Sequence, residues 1–361
     1  MKRHHLDQLE SPKRAISVAS DLCGLHAQVM SSAELTLWAR IDGLAPDAVQ
    51  RALWEERTLV KTWAMRGTLH LLPTAEFGTW QAALSARRSY LARAWLAYFD
   101  LSEAEMRQLI DAVGAALERE PLTREELATA VVARTGIQKV GELLRSGWGG
   151  MLKPAAYNGR LCFAPSAGQT VRFTNPRVWL GEGNTAVAPE TALADVTRRY
   201  LAAFGPATRE DIARWWGVTA PAGGAMLRAL GDEVVPVEVE GASAWLLCKH
   251  LDELSGAAAT TRLVRLLPAF DQYVVGSSKH TRNLLPGEFR SRIFREAAWL
   301  SPVLLVNGRM DGVWWHKRKG KRLEVLIEPF VPVPAWARRA AEAEAERLAA
   351  FLGGRLELAW G

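Results

Sequence analysis

A chain of 361 residues is too long for one ordinary hydrophobic core and predicts two to four folding units. It is 49% apolar and 23% charged, which excludes a disordered chain, and no apolar run reaches the roughly 18–20 residues of a membrane span. A net charge of +6, an isoelectric point near 9.4 and a bias to arginine suit a nucleic-acid partner, because guanidinium forks match phosphates. GC-rich coding alone also favours arginine, so charge does not settle the partner.

The first fifteen residues, "MKRHHLDQLESPKRA", lack the apolar core of a signal peptide, and the cytoplasm is the expected compartment. Cys23, Cys162 and Cys248 are odd in number and far apart, which argues against a disulfide framework and a cysteine zinc site. His4, His5, His26, His70, His250, His280 and His316 show no ligand-like spacing on one helix. No metal and no cofactor is expected.

The first predicted helix lies in "SPKRAISVASDLC", with Ser11 as cap and Pro12 at the first helical position. "GLHAQ", Gly24 to Gln28, follows where that helix gives way to the next. His26 and Gln28 stand two apart, and on an extended backbone both can point at one atom, such as a water oxygen. Turn capping explains the same spacing equally well. "SSAELTLWARIDG" and "APDAVQRALWEE" supply two more helices, and "LVKTWAMRGTLHLLP" reads as a strand pair. There Arg66 and His70 fall on one strand face by the period of two. A histidine in such a place serves structure more often than catalysis.

The same order then occurs twice more. Thr123 opens "LTREELATAVVARTG" with Glu126 three residues on, a capping box, and eighty-five residues later Thr208 stands at the same offset from Asp211. "SEAEMRQLIDAVGAALERE" and "ETALADVTRRYLAAFG" precede the two capped helices, and "GELLRSGWGGMLKP" and "PAGGAMLRALGD" follow them. Each set ends in an extended pair, "YNGRLCFAPS" and "VVPVEVEGASAWLLC". Helix, capped helix, helix, β-hairpin is the order of a winged helix-turn-helix. Three tandem modules are therefore expected over residues 1–100, 101–188 and 189–255.

Residues 256–361 change character. "RLVRLLPAFDQYVVG", "PVLLVNGRMDGVWWH" and "RLEVLIEPF" read as β-rich, with Asn-Gly and Asp-Gly as turn signals. A helix over 334–352 and a last strand, "GRLELAW", complete a small barrel or a sheet capped by a helix. The expected class is α+β. "PAFDQYVVG" places Asp271 and Tyr273 at a strand end, either supporting a site or, for the Asp, pinning a turn. "HKRKGKR", His316 to Arg322, predicts a β-turn with Lys317, Arg318, Lys319, Lys321 and Arg322 around a glycine, beside Trp314 and Trp315. It grips DNA phosphates, or it is a solvated loop that keeps a sheet edge from aggregating.

Taken together, "GLHAQ" after the first helix, "MRGTLHLLP" after the third and "LLPAFDQYVVG" opening the C-terminal region carry a resemblance over nearly the full chain. The chain resembles the winged-helix DNA glycosylases linked to self-resistance against azinomycin-type DNA-alkylating antibiotics. That resemblance implies three winged helices and a β-barrel around a basic concave surface. It also implies hydrolysis of the N-glycosidic bond of N7-alkylated guanine in double-stranded DNA, bulky adducts and interstrand crosslinks included, by a monomer. The family's catalytic pair is Gln-x-Gln or Gln-x-Asp, and His26-Ala27-Gln28 falls on it, agreeing at the second residue and departing at the first.

An N7-alkylated guanine already carries positive charge and leaves without a general acid. Charge then builds on the sugar, and a water aimed at C1′ completes the reaction. A glutamine carbonyl orients water, whereas histidine, with an ordinary pKa of about 6.5, can also take its proton. Gln28 is thus expected to position the water and His26 to orient or deprotonate it. The matching stretch holds no lysine for a Schiff base, so the expected product is an abasic site. Winged helices mostly bind DNA without chemistry, which makes a transcriptional regulator the alternative and a lesion- or drug-sequestering protein a third reading. Three tandem modules fit a monomer wrapped on DNA better than a dimer with one module per half-site.

Overall fold

The computed structural model describes residues 1–146, 149–181, 187–239, 241–255, 262–277, 284–285 and 287–361; His280 lies outside them. The chain divides into two compact units, one of Met1–Val49, Arg199–Ile212 and Gly231–Gly361, the other of Gln50–Arg198 and Ala213–Leu230. Each unit is built from separate stretches of sequence, so segment 1–100 contributes to both. Among the described residues no helix is long and apolar enough to cross a membrane.

Local capping chemistry marks several helix starts, though not all, since Met30–Trp38 and Ala335–Leu352 begin without a side-chain cap. Ser102 and Glu105 form a reciprocal capping box ahead of helix Glu103–Ala116, and Thr123 and Glu126 form one ahead of Arg124–Thr135. At the third start the Thr208 hydroxyl accepts from the Asp211 backbone at 3.1 Å, while Asp211 accepts from the Thr208 backbone at 3.1 Å. Each box satisfies two otherwise orphaned N–H groups. Ser11 and Pro12 stand at the expected positions, but Pro12–Arg14 is a single 3-10 turn before helix Ala15–Asp21 and Ser11 makes no side-chain cap.

Helices followed by paired strands recur along the chain, but the second set has one helix more than the expected order, because "GELLRSGWGGMLKP" is divided between Gln138–Arg145 and Leu152–Tyr157. In the unit of Gln50–Arg198, strands Leu59–Trp63 and Leu69–Pro73 pair antiparallel, with Thr62 opposite His70. Helices Glu103–Ala116, Arg124–Thr135, Gln138–Arg145 and Leu152–Tyr157 precede paired strands Cys162–Ala167 and Thr170–Thr174. "YNGRLCFAPS" is thus strand only from Cys162 on, because its tyrosine closes a helix. Helices Pro189–Phe204, Arg209–Trp216 and Ala220–Arg228 precede the hairpin of Val234–Val239 and Ala242–Leu247.

The C-terminal sheet has five strands in the order Arg355–Trp360, Arg322–Pro329, Arg309–Lys319, Val303–Val306 and Val264–Leu267. All neighbours are antiparallel except the first two, which the crossover helix Ala335–Leu352 allows to run parallel. The order is linear with Val264–Leu267 and Arg355–Trp360 at its edges, so the expected barrel is an open sheet capped by a helix. Leu323, Val325 and Ile327 alternate into the core, as Ala337, Ala341, Ala345 and Leu348 do from the helix, all nearly inaccessible. Burying each such Leu or Ile contributes about 1.5–3 kcal/mol.

Two turn signals separate here. Asn307-Gly308 is the expected turn, with both residues left-handed (φ 49° and 85°) between Val306 and Arg309. Asp311-Gly312 lies inside strand Arg309–Lys319 and turns nothing. A Cβ on Gly312 would meet the Glu328 carbonyl at 2.6 Å, so this glycine answers the close approach of the neighbouring strand.

Candidate active site

"GLHAQ" begins where helix Ala15–Asp21 is forced to stop. Cys23 and Gly24 are left-handed (φ 59° and 89°), and the Gly24 N–H donates back to the Ala19 carbonyl at 2.8 Å. That closure ends the helix and sends the chain into an extended stretch at Leu25–His26. Helix Met30–Trp38 then starts after an extended Val29. Leu25, His26 and Ala27 are buried and Gln28 is exposed, so the motif climbs from core to surface within four residues. The backbone is extended at the histidine, as the water-holding reading requires.

A second segment, far away in sequence, fixes the motif. Strand Val264–Leu267 ends before Pro268, Phe270 is left-handed (φ 58°), and Asp271 caps the short helix Gln272–Gly276 by accepting from the Tyr273 N–H at 2.9 Å. The Phe270 ring stacks on the His26 imidazole, centroids 4.8 Å apart and planes 12° from parallel. The Gln272 amide donates to the Gly24 carbonyl at 2.5 Å. "GLHAQ" and "PAFDQ", separate in sequence, are therefore one assembly in space.

Asp271 is held in turn by Arg40. The guanidinium grips the carboxylate through Nη1 at 2.7 Å and Nη2 at 2.8 Å, and both side chains are 0% exposed. Arg40 also donates to the carbonyls of His4 and Thr36 at 2.8 Å each, so the fork is well satisfied in its buried setting. The Tyr273 hydroxyl donates to the Gly308 carbonyl at 2.9 Å, and burial, with the Asp271 charge behind it, pushes its pKa up to about 12. Asp271 and Tyr273 thus stand at a helix start rather than at a strand end. Both side chains are engaged within the fold, one with Arg40 and one with the Gly308 carbonyl, on either side of Gln272. On the outer side of Phe270, Trp299 packs at 4.9 Å and 76° and is 43% exposed.

Arg66 and His70 do not share a strand face. Arg66 precedes its strand, in the left-handed turn Met65–Gly67 (φ 56°), and donates to the Trp215 carbonyl at 2.9 Å. His70 is fully buried on Leu69–Pro73, with Nδ1 3.1 Å from the Thr68 carbonyl. Both belong to the unit of Gln50–Arg198 and Ala213–Leu230, whereas "GLHAQ" belongs to the other.

The basic hairpin forms where expected, with Lys319 opposite Arg322 and only Gly320 and Lys321 in the loop. Lys317, Arg318, Lys319, Lys321 and Arg322 are all exposed. Three of them have work inside the fold. Arg318 donates to the carbonyls of Leu352 (2.9 Å) and Gly353 (3.4 Å) at the end of helix Ala335–Leu352, where a cation suits the helix dipole. Lys319 pairs with Glu324 at 2.8 Å and Arg322 with Glu357 at 3.3 Å. Trp314 is buried and donates to the Leu267 carbonyl at 2.8 Å, whereas Trp315 is 43% exposed.

Sequence reasoning did not single out Arg40, Phe270, Gln272 or Trp299. One signal was present: an arginine in the apolar run "LTLWARI" demands a buried anion, and "PAFDQ" holds an acid in an equally apolar setting. Among the described residues no three His, Cys, Asp or Glu come together as metal ligands would.

Three comparisons bear on this arrangement. A family model described as DNA glycosylase AlkZ-like matches residues 19–351, a range that includes both segments of the site. The chain is 36% identical over 357 residues to an interstrand DNA cross-link repair glycosylase of Streptomyces sahachiroi, covering 98% of this chain and 94% of that protein. It also matches the solved structure of Streptomyces sahachiroi DNA glycosylase AlkZ with a TM-score of 0.90 at 35% identity, over 100% of this chain and 97% of that one.

Proposed function

The chain belongs to the AlkZ-like DNA glycosylases, and from that premise we propose that it hydrolyses the N-glycosidic bond of N7-alkylated guanine in double-stranded DNA. Bulky adducts and interstrand crosslinks fall within the proposed range, supported by the name of the Streptomyces relative, an interstrand DNA cross-link repair glycosylase. The observation that carries the reading is the His26-Ala27-Gln28 segment, extended at the histidine and stacked under Phe270, which the sequence resemblance aligns with the family's catalytic pair.

In this mechanism the cationic base is its own leaving group, and the enzyme's task is to present water to C1′ as positive charge builds on the sugar. The Gln28 carbonyl accepts from the water, while His26 orients it or takes its proton. Phe270 and Gln272 keep the imidazole and the motif backbone from reorienting, so little reorganisation remains at the moment of reaction. The motif holds no lysine for a Schiff base, and the product is an abasic site. The proposal includes winged-helix modules over 1–100, 101–188 and 189–255 following the duplex, with 256–361 adding the basic hairpin, in one cytoplasmic monomer. A non-catalytic DNA-binding role is not favoured, since the family and the full-length relative are both glycosylases.

The test is release of 7-methylguanine from methylated duplex DNA by excess protein, with EDTA present. Free base appearing in step with abasic sites supports the proposal. No release at any excess, or release abolished by EDTA, contradicts it.

A further inference from the structure

We propose that Trp299 is the surface on which the alkylated, positively charged purine stacks, and that it tells damaged from undamaged guanine before the bond breaks. The inference rests on the glycosylase reading of the neighbouring motif.

Three rings run outward from the motif: His26 at 5% exposure, Phe270 at 8% and Trp299 at 43%. His26 and Phe270 are near-parallel at 4.8 Å, and Trp299 stands nearly perpendicular to Phe270 at 4.9 Å. A tryptophan left this exposed gains only part of the burial that usually justifies one. The loop that presents it is also unusual. Ala297 and Ala298 are consecutive left-handed residues (φ 52° and 58°) with no glycine to relieve them. The loop is closed by hydrogen bonds from Arg295 N–H to the Trp299 carbonyl (2.9 Å) and from Trp299 N–H to the Glu296 carbonyl (3.2 Å).

Phe270, the ring that Trp299 packs on, is left-handed too, at φ 58°. Non-glycine residues in this region carry strain, and strain persists where the surroundings fix a functional group. Here all three strained residues serve one contact, the Phe270–Trp299 pair beside the motif. Trp315 is equally exposed, but it pairs in unbroken register opposite Leu326 and neither adjacent residue is left-handed.

The chemistry selects the occupant. The indole face carries negative quadrupole density and attracts cations, and any planar base stacks on it. N7-alkylation makes guanine both planar and cationic, so the damaged base gains both terms, whereas stacking alone does not offset taking an intact, paired base out of the duplex. Enzymes that act on a base remove it from the stack, and an exposed ring beside the catalytic segment gives it somewhere to go.

The test uses the full chain and a duplex with one 2′-fluoro-7-methylguanine, whose glycosidic bond resists hydrolysis, against the same duplex with guanine. Affinities come from fluorescence anisotropy. The parent is expected to prefer the alkylated duplex, Trp299→Ala to lose that preference by about tenfold, and Trp299→Phe to keep most of it. Affinity for the intact duplex and its salt dependence are expected to stay unchanged in both variants. A preference preserved in Trp299→Ala overturns the proposal. So does an equal loss on both duplexes, or a parent with no preference. Base release from ordinary 7-methylguanine DNA, measured alongside, scores the other reading separately. A parent that discriminates yet releases nothing keeps the stacking site and loses the glycosylase.

Discussion

Arg40 and Asp271, 231 residues apart, close a two-pronged ion pair from which solvent is fully excluded. The pair ties the end of the helix that follows "GLHAQ" to the residue next to Phe270. The contact thereby adds to the Gln272–Gly24 bond and the His26–Phe270 stack in tying the "GLHAQ" segment to the one that carries Phe270.

Breaking the pair one-sidedly is therefore expected to be severe. Arg40→Met leaves a buried carboxylate uncompensated, and a loss of about 3–5 kcal/mol is expected in urea unfolding. Adding Asp271→Leu removes the stranded charge and is expected to restore part of that loss. A single variant within 1 kcal/mol or so of the parent would show that the pair contributes little.

His5 gives a prediction with a definite sign. Its Nε2 lies 2.9 Å from Asp21 and its Nδ1 2.9 Å from Glu10, and the Asp21 hydrogen bond is the main cause that raises its pKa above the ordinary value, against partial burial. A raised folded-state pKa favours the protonated form in the native protein. That stability is complete below the unfolded pKa of about 6.5 and is lost as pH rises through the folded one. His5→Asn tolerates the left-handed backbone there (φ 51°) and removes the charge. Its stability deficit is expected to be largest at pH 6 and to shrink by pH 9, measured by thermal unfolding. A deficit constant across that range contradicts the assignment.

The basic hairpin is expected to divide by role. Lys317→Ala with Lys321→Ala should weaken DNA binding and flatten the salt slope by up to about 0.9 for each lysine, with stability unchanged. Arg318→Ala should instead destabilise the end of helix Ala335–Leu352, since it removes hydrogen bonds to Leu352 and Gly353. An unchanged slope in the lysine pair makes the hairpin a solvated loop.

Features encoded within a few residues were legible in the sequence. The boxes at Thr123 and Thr208, the Asn307-Gly308 turn and the hairpin at Gly320 each depend on side chains acting on adjacent backbone, and they stand where the residues place them. What failed depends on partners distant in sequence. The helix at Gln272 exists because Asp271 caps it while gripping Arg40, and no local pattern announces that. Gly312 answers to Glu328 across the sheet. One failure was local instead: a tight turn, Met65–Gly67, interrupts the alternation and takes Arg66 off the face of His70. At the candidate site the motif itself was legible, but not the burial of His26 or the rings above it.

His26→Gln restores the commoner family pair and isolates proton transfer from orientation. It is expected to keep substantial base release but to lose any pH dependence of the rate that proton transfer to the imidazole gives the parent. If its pH profile matches that of the parent, His26 orients the water and does not deprotonate it.

The central claim is that "GLHAQ" acts on the reacting water, and single-turnover base release by His26→Ala and Gln28→Ala tests it most directly. Each variant is expected to fall by about a hundredfold or more in the chemical step, with affinity for DNA close to the parent's. A group that works only in the transition state gives that signature. His26→Ala also loses stability because its imidazole is buried under Phe270, whereas Gln28→Ala, at an exposed position, does not. Release at the parental rate by both variants, with any deficit confined to stability, would contradict the claim and leave the motif a turn.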